Sequence, residues 1–196
     1  MSTEQDEQND PARIDSTRAT RRPDATAGNN DATTSGGFPA RGAVLSADGL
    51  YRYRLWRIWD DLRPLMVWVM LNPSTADADV DDPTIRKCMS FAKAHRHGGI
   101  IVVNLFAWRA TDPKALPTVT DPIGPENDEH IHWAVKAPLM ATVVAAWGAN
   151  KFAAKRAARV KTMIRGYGRP LHCFRQTATP WHPLYLPLSS PLEALR

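Results

Sequence analysis

Apolar and polar positions along the chain separate strands from helices. Met66–Leu71 is apolar at every position, as in a strand of a parallel sheet covered on both faces. It stops at Asn72-Pro73, a turn signal. Ile100–Phe106 and Ala141–Gly148 repeat the pattern, and Leu171–Phe174 is a short fourth strand. Tyr51–Trp59 instead alternates large apolar residues with Arg, which predicts a strand with one buried and one wet face, at an edge or in a hairpin. Between the strands lie helical signals. Asp82 is a good N-cap and Pro83 a good first residue, with Ile85, Cys88, Met89 and Ala92 as a buried stripe and Gly98-Gly99 as the end. A second helix is expected near Asn127–Lys136. A basic amphipathic helix runs from Lys151 to about Ile164, with Phe152, Val160, Met163 and Ile164 on its core face. Strands alternating with helices predict an α/β fold: a three-layer sandwich around a central, mostly parallel four-stranded sheet, plus an N-terminal edge strand or hairpin.

Composition divides the 196 residues in two. Residues 1–40 are rich in Ser, Thr, Asp, Asn, Gly and Arg and nearly devoid of large apolar residues, which predicts a disordered tail. Residues 41–196 suffice for a single α/β domain. The tail holds four Arg and seven acids, net −3; the rest carries net +8, giving +5 for the chain. A basic domain suits a polyanion such as nucleic acid. No apolar run has signal-peptide or membrane-spanning character, and the two cysteines, Cys88 and Cys173, make no disulfide framework; a cytoplasmic location is expected.

Several kinds of chemistry find no support in the sequence. It has no Gly-rich phosphate loop, no Cys-x-x-Cys, no His-x-x-x-His and no Gly-x-Ser-x-Gly elbow. The acidic run Asp77–Asp82 suits helix capping and dipole chemistry better than a cation, and neither a metal nor a cofactor is assigned. What remains is a trio of polar residues that end or follow buried strands: Asn72, Asn104 and His182. In open parallel sheets, ligands bind beyond the carboxyl ends of the strands, so the three are expected to meet over one hollow there.

At these residues the chain resembles the uracil-DNA glycosylase superfamily. Leu71-Asn72-Pro73-Ser74 is similar to that superfamily's first motif, Val102-Val103-Asn104 to the strand whose Asn reads the flipped base, Val144–Ala149 with its Lys-rich helix to a later strand-Trp-Gly-helix segment, and Trp181-His182-Pro183-Leu184 to the His-Pro-Ser motif. Asn-Pro-Ser-Thr-Ala-Asp, Asn104–Thr111 and His182-Pro183-Leu184-Tyr185 also resemble a bacterial and phage family of unknown function, family 1643.

The superfamily resemblance implies roles. Asn72 would position the attacking water, Asn104 would read the base, and His182 would hydrogen-bond the departing base. Pro73 and Ser74 would complete the first motif, Phe106 or Trp108 would stack on the base or lie in the core, and Leu184 or Tyr185 would fill the gap left by an extruded base or lie in the core. DNA is the expected partner, with Arg52, Arg54, Lys151, Lys155, Arg156 and Arg159 as candidates for its phosphates; no membrane or protein partner is implied. Two departures stand out. Leu184 occupies the place of the Ser that grips a phosphate, and Asn72 cannot accept a proton as a carboxylate would. Base excision, non-catalytic nucleic-acid binding and an enzyme acting on free nucleosides or nucleotides are therefore all compatible with the sequence.

Overall fold

The computed structural model describes residues 40–74, 76–136, 140–177 and 179–195. The expected tail, apart from Ala40, lies outside the described residues. Seven strands form one mixed sheet: β1 (Arg41–Leu45), β2 (Arg52–Ile58), β3 (Leu65–Met70), β4 (Gly99–Asn104), β5 (Met140–Ala145), β6 (Leu171–Cys173) and β7 (Glu193–Ala194). Their order is β1-β2-β4-β3-β5-β6-β7. β3 pairs parallel with β4 and β5, and β5 with β6, while β1, β2 and β7 join antiparallel. Three helices, α1 (Pro83–Ala94), α2 (Asn127–Lys136) and α3 (Ala154–Gly166), connect the parallel strands.

Pleat alternation divides the core. Val67, Val69, Ile101, Val103, Val143 and Ala145 pack against Ile131, Ala134 and Val135 of α2 and Ala157, Val160 and Ile164 of α3. Met66, Trp68, Met70, Val102, Val144 and Ala146 face Ile85, Cys88, Phe91 and Ala92 of α1. β3, apolar throughout, is buried at all six positions because both faces are covered. α1 begins as its sequence dictates: Asp82 Oδ1 accepts the Ile85 N–H at 2.8 Å and Pro83 opens the helix. It ends at Ala94, earlier than the glycine pair. Gly98 and Gly99 serve close approach instead, since a Cβ at Gly98 would fall 1.7 Å from the Asp60 carbonyl oxygen.

Two expectations need correction. β2 forms an antiparallel hairpin with β1, as one of the two alternatives had it, but it is neither an edge strand nor wet on one face: it lies between β1 and β4, and six of its seven residues are buried. The edge belongs to β1, whose short apolar stretch the sequence pattern did not single out. Phe152, assigned to the core face of the third helix, sits in a 3-10 turn (Lys151–Ala153) ahead of α3 and is 44% exposed, its inner side stacked on Phe106. After β4, Pro113–Thr118 forms a 3-10 turn capped by Asp112.

The arginines of β2 hold the acidic loop. Arg52 donates to the Ala76 carbonyl, Arg57 donates to the Asp77 carbonyl at 2.8 Å and pairs with Asp81 at 2.7 Å, and Arg41 of β1 donates to the carbonyls of Ala78 and Asp79. Asp77 receives the N–H groups of Asp79 and Val80. The loop's negative charge thus meets buried cations of the sheet, which accounts for both sequence features together.

Candidate functional site

The site is built at the carboxyl edge of the parallel strands. From β3 the chain crosses to β4 through α1 on one face; from β4 it returns to β5 through α2 on the other. The loops after β3 and β5 therefore leave in opposite directions and open a crevice between those strand ends. Asn72-Pro73-Ser74 follows β3 and Trp147-Gly148 follows β5. His182, at the start of a 3-10 turn (Pro183–Tyr185) that packs against α1, closes the crevice, and a Cβ on Gly148 would lie 3.9 Å from its Cβ. Gly148 takes a positive φ of 71°, a conformation that a bulkier residue resists.

Asn72 is half-buried and oriented. Its amide nitrogen donates to the carbonyls of Ala110 at 2.8 Å and Pro73 at 3.0 Å. Both amide hydrogens are committed, so Oδ1 is the atom left to meet a ligand, and only as an acceptor. Ser74 Oγ donates to Asp82 Oδ2 at 2.7 Å, linking the Asn72 turn to the N-cap of α1.

Asn104 ends β4 opposite Met70 of β3. Its backbone is clamped from the α2–α3 side: Asn127 Nδ2 donates to the carbonyls of Asn104 and Leu105 at 3.0 and 3.1 Å, and Arg156 Nε donates to Leu105 at 2.8 Å. Its side chain, by strand alternation, points to the α1 face with Met70 and Ala146. It is 1% exposed, and neither its Oδ1 nor its Nδ2 has a hydrogen-bond partner among the described residues. Each unpaired buried polar group costs about 1–3 kcal/mol, so this amide is kept against the interest of the free fold.

His182 is neutral by design of its surroundings. Burial pulls its pKa below the usual imidazole value, and the Asp82 charge only partly opposes this. Nδ1 accepts the Leu184 N–H over a long 3.4 Å bond, so the ring proton sits on Nε2, which becomes a donor.

The other expected residues divide. Phe106 is buried and stacked on Phe152, with ring centroids 5.4 Å apart, and Trp108 packs edge-on against Tyr51 at 5.5 Å. Phe106 thus lies in the core, while Trp108 is half-buried. Pro73 is buried, whereas Leu184 and Tyr185 are exposed beside His182, Tyr185 at 73%. Lys151, Lys155 and Arg159 are exposed, with Arg159 paired to Asp128 at 3.1 Å. Arg52, Arg54 and Arg156 are not surface cations. Arg52 bonds Ala76, Arg54 lies 4.0 Å over the Trp133 ring, and Arg156 pairs with Asp128. Burial brings both Arg52 and Arg54 down to about 10. All three are correctly charged for a phosphate and wrongly placed, because fixed strand and helix positions spend them on carbonyls, a ring and a carboxylate.

A hollow of about 230 Å³ beside Asn72 is lined by Gly49, Leu50, Ser74, Arg109, Ala110 and Thr111, without Asn104 or His182. Among the described residues, no hydrogen bond joins Asn72, Asn104 and His182 to one another, and no three His, Cys, Asp or Glu side chains gather as a metal site. Sequence reasoning missed Asp82 as a neighbour of both Ser74 and His182, and Arg109 as a lining residue. Asp82 was legible only as a cap, and Arg109 only as part of a loop.

Fold and site define an α/β protein with a polar edge crevice. A family model described as "Protein of unknown function (DUF1643)" matches residues 52–184, more than half of the chain, and the chain belongs to that family. No curated protein and no solved structure matches it.

Proposed function

We propose that the protein recognises a single nucleobase extruded from DNA at the carboxyl edge of its sheet and hydrolyses the N-glycosidic bond of a uracil or modified base. The observation that carries this reading is the Asn104 amide, sealed on a strand end with donor and acceptor both unpaired. An amide offers one acceptor and two donors, which complement the edge of a pyrimidine. Because the group is closed off in the free protein, recognition includes an opening step, and association is slower than a preformed pocket would allow.

The chemistry asked of the other groups is modest. When the C1′–N bond breaks, its electron pair leaves with the base. The Nε2–H of neutral His182 is suited to stabilise that negative charge, on the scale of one oxyanion donor, roughly 3 kcal/mol. Asn72 Oδ1 is suited to hold a water by one of its hydrogens while the water oxygen bonds C1′. Asn72 takes no proton, so the released proton passes to the base or to solvent. Lys151 and Lys155 follow β5 on the same edge and are available to phosphates, and Tyr185 is exposed beside His182.

Purified full-length protein incubated with oligonucleotides carrying uracil or modified bases, then treated with alkali, tests this reading. Strand cleavage at the modified position supports it. Salt-dependent binding with no cleavage on any member of the panel replaces it with non-catalytic base recognition. Undetectable binding ends both.

A further inference from the structure

We propose that the hollow beside Asn72 is a phosphate-ester subsite, with Arg109 as its principal ligand. Arg109 is positioned by backbone: its N–H donates to the Leu50 carbonyl at 3.0 Å and its Nη1 to the Gly49 carbonyl at 3.2 Å. That uses one of the five guanidinium N–H groups, and the rest of the planar fork fits two oxygens of a phosphate. Among the described residues Arg109 makes no salt bridge, whereas the buried Arg57 and Arg156 each hold a carboxylate. The nearby acids are otherwise engaged. Asp48 accepts from Ser46 Oγ and the Leu50 N–H, Asp77 from two backbone N–H groups, Asp82 from Ser74 and Ile85, and Asp112 from Lys114. Arg52 and Arg109 lie close enough to feel each other's charge, with Asp82 and Asp77 acting in the opposite sense, so anion binding rests on the free face of the Arg109 fork rather than on the summed charge of the region.

The lining chemistry fits an anion better than a base. Ser74 gives its hydroxyl hydrogen to Asp82 and so contributes no donor, but the Thr111 hydroxyl stands at the exposed lip. The hollow, about 230 Å³, is small for an organic ligand and ample for a phosphate group. Its position links it to the crevice, because Ala110, between Arg109 and Thr111, accepts the Asn72 amide and returns its own N–H to the Pro73 carbonyl. A phosphate on Arg109 therefore flanks the nucleotide whose base meets Asn104; in that respect the subsite rests on the function proposed above. The phosphate is either a monoester of a free nucleotide or a diester of a strand.

Titrations followed by the backbone amide signals of Ala110 and Thr111 test the subsite. Wild type, Arg109→Gln and Thr111→Asp are each titrated with inorganic phosphate, deoxyuridine, deoxyuridine 5′-monophosphate and a single-stranded oligonucleotide. Phosphate-bearing ligands are expected to move both signals and to bind at least tenfold more weakly to either variant, with deoxyuridine unaffected by the substitutions. The monophosphate moving them without the oligonucleotide identifies a monoester subsite; the reverse identifies a diester. Thr111→Asp, at an exposed position, keeps the test valid if Arg109→Gln unfolds. Unmoved signals, or equal affinity of both variants and wild type, overturn the subsite. Asn104→Ala, if it leaves phosphate binding intact and changes no response to the base, defeats base recognition and leaves the subsite standing.

Discussion

At the residue scale, Asn104 sets stability against function. Replacing a buried unpaired polar group by an apolar one of similar size removes a desolvation cost. Asn104→Leu is therefore expected to stabilise the free protein by about 1–3 kcal/mol, read as a higher urea midpoint, while abolishing base recognition. A destabilised variant would mean that the amide is satisfied in solution. Three histidines make a second prediction. Burial lowers His97, His130 and His182 below the ordinary imidazole value of 6.5, His130 to about 4. The Glu126 carboxylate 3.8 Å from His130 is too exposed to reverse this, and Arg54 reinforces it. Below pH 6.5 the unfolded chain takes up protons that the folded one refuses. Stability is thus greatest above pH 6.5 and falls as the pH is lowered; for His130 the fall continues toward pH 4, by up to about 1.4 kcal/mol per pH unit. His130 stacks on Tyr53 with centroids 4.8 Å apart, so His130→Phe keeps the packing and is expected to flatten the urea-midpoint profile over that range.

At the element scale, β2 carries the structural weight of the acidic loop. Arg57 is 6% exposed and bonds Asp81 and the Asp77 carbonyl. Arg57→Met leaves Asp81 with the longer contact to Arg41, at 3.6 Å, and removes the donor to the Asp77 carbonyl, and a loss of about 3 kcal/mol in denaturant unfolding is expected. Arg57→Met with Asp81→Leu is expected to recover most of that loss, because the poorly paired charge goes too. The same strand explains what the sequence could and could not disclose. β3, β4 and α1 were legible because uniform apolar runs and an Asp-Pro cap admit few other readings. β2 was legible as a strand, but its Arg positions read as wet. Alternation reports residue polarity, and here the polar residues are buried against partners remote in sequence: Ala76, Asp81 and Trp133. Phe152 was misassigned for a related reason: one 3-10 turn ahead of α3 rotates it off the face that helical spacing gives it.

For the whole molecule, the basic charge is less available than its size suggests. Arg52, Arg54, Arg57 and Arg156 are all buried. Lys151, Lys155, Arg159 and the proposed phosphate ligand Arg109 remain as cations at this edge, so nucleic-acid affinity should fall with salt on a shallow slope, about −4 in log K against log salt for four phosphate contacts. Lys151→Gln with Lys155→Gln should reduce that slope by about 2, measured by fluorescence anisotropy across a salt series. A slope steeper than −6 would require cationic surface other than this edge. The strand ends and the polar residues that follow them were readable from the apolar runs and turn signals. The closing of Asn104, the Asp82 charge beside both Ser74 and His182, and the Arg109 hollow were not, since each depends on how loops far apart in sequence pack across the crevice.

The side-chain amide resonances of Asn104 give the most direct measurement. In the free protein the pair is expected at positions typical of an amide without a strong hydrogen bond. On titration with an oligonucleotide carrying the cognate base it should shift markedly, while the Asn127 side-chain amide, held by two carbonyls, stays in place. An Asn104 amide already hydrogen-bonded in the free protein, or unmoved by every base offered, would contradict its role as the reader of the base.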